Sequence, residues 1–325
     1  MLNKKLFLVK SLKNPEMIPT RDGYGRALVE LGEKNPNIIV LTGDLMESTR
    51  AQWFAEKFPR RFIDCGVAEQ NMTGIAGGLA HEGKIPFISS YAVFSPGRSW
   101  DQVRVTVAYG NLNVKIAGAH AGISVGPDGA THQGCEDLAL MRVLPNFVVI
   151  APCDFWETKK ATLWAGNHKG PVYLRFLREK TPVITSEKTP FEIGKALVFR
   201  EGTDATVIAC GQMVYEALAA AENLARKGIS VRVINNHTLK PIDKKTIIAA
   251  AKETGAIVTA EEHQINNGLG SAVAEVLVEN YPVPMERIGL RDTFGESGKP
   301  EELLVKYGMK AEDIEKAVGR VIKRK

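Results

Sequence analysis

Phe62-Ile-Asp-Cys-Gly-Val-Ala-Glu-Gln-Asn-Met-Thr-Gly-Ile-Ala-Gly-Gly-Leu-Ala80 reads as a short apolar strand that stops at Gly66 and runs into a helix of small apolar residues. A helix made of Gly and Ala packs close to its neighbours, and a strand feeding such a helix is half of a βαβ unit. Glu69 falls in the first turn of this helix. A carboxylate there is ordinarily a partner for the positive end of the helix dipole. The carboxyl end of a strand in an open α/β sheet is also where ligands bind, and a carboxyl ringed by Gly, Ala, Met and Val is poorly solvated, which suits it to proton transfer.

The same alternation extends on both sides. Between Arg21 and Phe176, short apolar runs predict strands at Asn37 to Leu41, Arg61 to Cys65, Ile85 to Ser89, Val114 to Gly118, Phe147 to Ala151 and Pro171 to Phe176. Helices fit between them, with apolar faces marked by Ala27, Leu28 and Leu31, by Val103 and Val107, and by Leu138 and Met141. The stretch Glu179 to Glu192 has two prolines and no apolar period and reads as a linker. Beyond it, strands at Ala205 to Cys210, Ile229 to Ile234 and Ala256 to Ala260, with helices at Met213 to Lys227 and Ser271 to Glu279, predict a second, smaller α/β unit. The expected architecture is α/β in two domains, each a mostly parallel sheet flanked by helices: 1–182, a linker 183–192, and 193–325.

The 325 residues allow a large core, and 44% hydrophobic with 24% charged residues is a globular composition that excludes disorder and coiled coil as the main architecture. With 42 Lys and Arg against 37 Asp and Glu, the net charge of +5 is too small to mark a nucleic-acid binder and is compatible with an anionic small substrate. Cys65, Cys135, Cys153 and Cys210 are far apart and form no CxxC pair, so they read as free thiols of a reducing compartment. The apolar run Leu6 to Val9 is too short for a signal segment and no stretch approaches a membrane span, which makes the cytoplasm the expected location.

Two more segments bear on chemistry. Tyr91-Ala-Val-Phe-Ser-Pro-Gly-Arg-Ser-Trp-Asp-Gln102 sets Tyr91 and Phe94 at the carboxyl end of a strand, where they are either core or a stacking surface for a flat ring. Gly118-Ala-His-Ala-Gly-Ile-Ser-Val-Gly-Pro-Asp-Gly-Ala-Thr-His-Gln-Gly134 is a long glycine-rich loop with His120, Asp128 and His132. The spacing of twelve between the histidines matches no standard metal-ligand pattern.

Taken together, these segments resemble the transketolase family of thiamine diphosphate enzymes, in the half that contains the pyrimidine-binding and C-terminal domains. Gly66-Val-Ala-Glu-Gln-Asn-Met72 looks like the family's cofactor-activating glutamate motif, and Asp128-Gly-Ala-Thr-His-Gln133 like its substrate loop, with Ala130 where proline is usual. Ala260-Glu-Glu-His263 and Asp292-Thr-Phe-Gly-Glu-Ser-Gly298 are similar to stretches of the C-terminal domain. The resemblance implies that Glu69 hydrogen-bonds the pyrimidine ring nitrogen of the cofactor, that Phe94 stacks on the ring with Tyr91 beside it, and that Val67 and Leu45 line it. It implies Arg21, Ser48, His120 and Arg178 around a sugar phosphate, with Asp44, Asp128 and His132 near its hydroxyls, and His120 and His132 as proton carriers.

The family holds the diphosphate and a divalent metal, Mg²⁺ for example, on a Gly-Asp-Gly motif followed by an Asn, and this sequence has no such motif. The resemblance therefore implies one subunit of a split transketolase, inactive alone, whose partner carries the metal and diphosphate site in a two-plus-two assembly. The implied reaction moves a two-carbon ketol unit from a ketose phosphate such as xylulose 5-phosphate to an aldose phosphate such as ribose 5-phosphate. A beta subunit of a 2-oxo acid dehydrogenase has similar length and the same domains, but Asp128-Gly-Ala-Thr-His-Gln133 fits sugar-phosphate chemistry better. A deoxyxylulose phosphate synthase would want Arg at Ala121, and a non-catalytic scaffold would be expected to have lost Glu69, His132 or Arg178, all of which are present.

Overall fold

The structure, a computed structural model, describes residues 2–325. A seven-stranded sheet organises the first half, in the order Thr238–Lys240, Val148–Ile150, Val172–Arg175, Lys115–Ala119, Ile85–Tyr91, Ile38–Thr42, Phe62–Asp64. All its pairings are parallel except that of Thr238–Lys240 with Val148–Ile150. Its central strands are near-continuous apolar runs because helices cover both faces. Ile38, Val40, Leu41, Phe87, Ile88 and Ile116 are all fully buried. The second sheet has five strands in the order Met285–Leu290, Ile257–Gln264, Ala205–Ala209, Val231–Asn235, Leu197–Arg200, with only the last antiparallel.

The nine strands expected from sequence occur within one to four residues of their expected ends, the largest change being the extension of the Ala256 to Ala260 strand to Ile257–Gln264. Three features differ. Part of the polar stretch Glu179 to Glu192 is a strand, Lys180–Pro182, paired antiparallel with Met17–Pro19. Prolines are tolerated at such an edge, where a missing N–H leaves no partner unpaired. The strand Thr238–Lys240, from the second half of the chain, completes the first sheet at its edge. The C-terminal part also contains the unforeseen strands Leu197–Arg200 and Met285–Leu290 and the helices Lys244–Thr254, Pro300–Lys306 and Ala311–Ile322.

The two sheets are not separate bodies. One hydrophobic cluster joins Leu41, Ile88 and Ile116 of the first to Ile208, Ile234 and Ile257 of the second. Backbone bonds from Ala151 N to the His237 carbonyl and from Gly211 N to the Ala151 carbonyl cross the same junction, at 2.8 and 3.1 Å. All four cysteines are free, and burial pushes the thiols of Cys135, Cys153 and Cys210 above their ordinary range. Among the described residues no helix is long and apolar enough to cross a membrane.

Candidate active site

Parallel strands with right-handed crossovers deliver their carboxyl ends to one edge of the sheet, and the residues that follow them meet there. Asp44 and Leu45 follow Ile38–Thr42; Glu69 opens the helix after Phe62–Asp64; Tyr91 and Phe94 follow Ile85–Tyr91. His120 follows Lys115–Ala119, and Arg178 follows Val172–Arg175. Arg21 joins them from the first turn of the helix Thr20–Lys34, whose start is tied to the same region by the Leu177 N–H donating to Thr20 Oγ1 at 2.7 Å.

Glu69 is 1% exposed. Its Oε2 accepts from Arg98 Nη1 at 2.7 Å, and Ser90 Oγ donates to Oε1 at 3.4 Å. The Arg98 guanidinium also lies over the Phe94 ring, 4.6 Å from its centroid, a cation–π arrangement. So the one charged partner of the buried carboxylate rests on the aromatic face beside it. Val67 is exposed and Leu45 half-buried. Tyr91 stacks on Phe94 with centroids 5.9 Å apart and on His120 at 3.9 Å, and the His132 ring stands edge-on to Phe94 at 5.3 Å. Glu69, Phe94, Tyr91, His120 and His132 are thereby linked through successive contacts.

His120 is 1% exposed and has φ 53°, and its Nδ1 has no partner. Burial, with Arg21, Arg178 and Arg50 nearby, drops its pKa to about 3, so the ring is neutral at neutral pH. His132 is half-buried, its Nδ1 2.9 Å from Thr131 Oγ1. Arg21 donates from Nη1 to the Ser48 carbonyl at 2.9 Å, while its buried Nε has no partner. Burial and the neighbouring Arg50 lower the Arg21 pKa below the usual guanidinium value. Arg178 pairs with Asp128 at 3.2 Å and Glu179 at 3.4 Å, and donates to the Val125 carbonyl. Asp44 is exposed, with φ 61°, and Ser48 contributes its carbonyl rather than its hydroxyl to Arg21.

Sequence reasoning missed Arg98, Ser90 and Arg50. Arg98 had a usable signal, four residues after Phe94 in the same segment, but its link to Glu69 spans 29 positions. Arg50, paired with Asp22 at 2.7 Å, adds positive charge beside Arg21 and has no motif of its own.

Two family models match the chain: transketolase, pyrimidine binding domain, over residues 16–183, and transketolase, C-terminal domain, over residues 194–314. The chain is 49% identical to a putative transketolase C-terminal section of Methanocaldococcus jannaschii, over 94% of this chain and 96% of the relative. It is 46% identical to the 6-deoxy-6-sulfo-D-fructose transketolase subunit SqwH of a Clostridium species, over 94% of this chain and 95% of the relative. A solved structure described as a split gene transketolase, inactive beta4 tetramer, superposes with a TM-score of 0.89 at 49% identity, covering 95% of this chain and 99% of that one. The chain belongs to the transketolase family of thiamine diphosphate-dependent transferases, over its pyrimidine-binding and C-terminal domains.

Proposed function

We propose that this chain is the C-terminal subunit of a split transketolase and that its cluster at the strand ends holds the pyrimidine of thiamine diphosphate and a sugar phosphate. The observation that carries the reading is Glu69, a carboxyl 1% exposed at a helix start, joined through Arg98 to the half-buried ring of Phe94. A buried carboxyl next to a flat apolar surface suits a polar heteroaromatic ring, which stacks on one and hydrogen-bonds the other. When bound, the cofactor supplies a stabilised carbanion, the chemistry the protein's own side chains lack. Glu69 hydrogen-bonds the ring nitrogen. Arg98 swings off Phe94 to admit the ring, while Tyr91, Val67 and Leu45 border it.

The substrate residues follow from charge. Arg21, with a free buried Nε, and Arg178 suit a phosphate, which a guanidinium grips with paired charge-assisted hydrogen bonds. Asp128 occupies Arg178 in the free chain and turns to a sugar hydroxyl when phosphate replaces it. His120, neutral and with an open Nδ1, orients a hydroxyl or carbonyl as a hydrogen-bonding group, and the more accessible His132 moves protons. Asp44 and Ser48 border the same space.

The diphosphate and its divalent metal belong, on this reading, to a separate N-terminal subunit with a Gly-Asp-Gly motif, in a two-plus-two assembly. Two relatives support it by name, a C-terminal section and a split-gene tetramer described as inactive. Residues 1–182 form the pyrimidine domain, 183–192 the linker and 193–325 the C-terminal domain, a division the two matched ranges support. A cytoplasmic enzyme of pentose phosphate metabolism fits, although the sugars in the names of two relatives, 6-deoxy-6-sulfo-D-fructose and apulose-4-phosphate, show that the sugar differs among relatives. The test is transfer from xylulose 5-phosphate to ribose 5-phosphate with thiamine diphosphate and Mg²⁺, for this chain alone and mixed with the Gly-Asp-Gly subunit. Activity confined to the mixture is expected. Activity of the chain alone overturns the split assignment, and 2-oxo acid decarboxylation in its place overturns the reaction.

A further inference from the structure

The loop after the strand Lys115–Ala119 is held from behind by the other half of the chain. Its backbone is irregular, with φ of 53° at His120, 80° at Gly122, 81° at Gly126 and 75° at Gly129. Glycines adopt such angles freely, so a loop with three of them takes a fixed course only where its surroundings hold it. Those surroundings come from the C-terminal domain. Glu262, in the strand Ile257–Gln264, is 3% exposed; its Oε1 accepts the Ser124 N–H at 2.6 Å and its Oε2 accepts from Gln212 Nε2, also at 2.6 Å. At the far end of the loop, Gln133 donates from Nε2 to the Ile123 carbonyl at 3.1 Å and to the Glu296 carbonyl at 2.9 Å.

Two details show that the carboxylate is built for this place. Any Cβ on Gly122 would collide with the Glu262 carboxylate, so glycine admits the close approach. Arg175, from the first sheet, donates to the Glu262 carbonyl at 2.7 Å, which fixes the strand that carries the carboxylate relative to the sheet that carries the loop. The two oxygens of Glu262 thus take donors from two different segments, and hydrogen bonds to a carboxylate are short and directional.

We propose that Glu262 is a positioning residue for ketol transfer: the C-terminal domain, without touching substrate, sets the places of His120, Asp128 and His132 by gripping the loop between them. The proposal rests on the reading of that loop as the substrate-binding segment. Losing a charge-assisted hydrogen bond changes an equilibrium roughly tenfold or more. Hydrogen exchange of the full chain is therefore expected to rise about tenfold or more at residues 122–126 in Glu262→Ala, with the helix Glu69–His81 unchanged. In the assembled enzyme the same variant should raise the KM of the ketose phosphate about tenfold while the Kd of thiamine diphosphate stays as in wild type, and Glu262→Gln, which keeps one acceptor of the two, should restore part of the loss. Exchange that rises alike in every segment, or does not rise in the loop, overturns the proposal. A donor KM unchanged in Glu262→Ala but raised in His132→Asn overturns it too and spares the substrate reading. A donor KM unchanged in both shows that the substrate reading itself has failed and takes the proposal with it.

Discussion

At His120, burial and three nearby arginines act in the same direction on one ring. Its pKa in the folded chain is about 3, below the ordinary 6.5 of the unfolded chain, so unfolding takes up a proton between those values. Stability is therefore lost as pH falls from about 6.5 towards 3, by about 2–3 kcal/mol from this group at pH 4.5, where the gap from the unfolded pKa is about two units. Thermal unfolding of the free chain between pH 7 and 4.5 checks this, and His120→Asn should flatten the decline. Arg98 makes a second residue-scale case. Arg98→Met keeps the length but leaves the Glu69 carboxylate buried without its charged partner, at an expected loss of about 2–3 kcal/mol in chemical denaturation. Glu69, His120 and Arg178 could be singled out from sequence as candidates because each stands in a motif at a strand end. Arg98 and Arg50 were not, since what gives them meaning is a partner close in space and distant in sequence.

Among the elements, the strands buried on both faces were the most legible. Central parallel strands such as Ile85–Tyr91 show as apolar runs because both faces are covered. The edge strands Met17–Pro19, Leu197–Arg200 and Thr238–Lys240 have three or four residues each, too few for any period, and their pairing is set by distant chain. The helix Phe155–Asn167 shows how one side chain fixes an element. Its cap, Asp154, accepts the Glu157 N–H at 3.0 Å, the Ile184 and Thr185 N–H groups at 2.8 and 2.6 Å, and the Thr185 hydroxyl at 2.6 Å. One buried carboxylate thus starts the helix and pins the polar segment before the second sheet. Asp154→Ala leaves these donors unmet and should destabilise the chain by about 3 kcal/mol, more than the ~1 kcal/mol of an exposed cap, as read by the denaturation midpoint.

Across the whole molecule, the core cluster shared by both sheets and the strand Thr238–Lys240 tie the two halves into one cooperative body. Calorimetry of the free chain should give a single transition with an enthalpy of about 230 kcal/mol near 60 °C, from ~0.7 kcal/mol per residue. Two resolved transitions would contradict the continuity of that core. The two α/β units could be read from the chain, whereas the exchange of a strand between them could not, because Thr238–Lys240 has the composition of a connecting segment. The same continuity lets the C-terminal domain reach the loop between His120 and His132. The most direct measurement for the account as a whole is ketol transfer by Glu69→Ala, assembled with the N-terminal partner and supplied with thiamine diphosphate and Mg²⁺. Loss of at least about 100-fold in kcat, with the assembly intact by light scattering, is the predicted result; turnover preserved near the wild-type rate would contradict it.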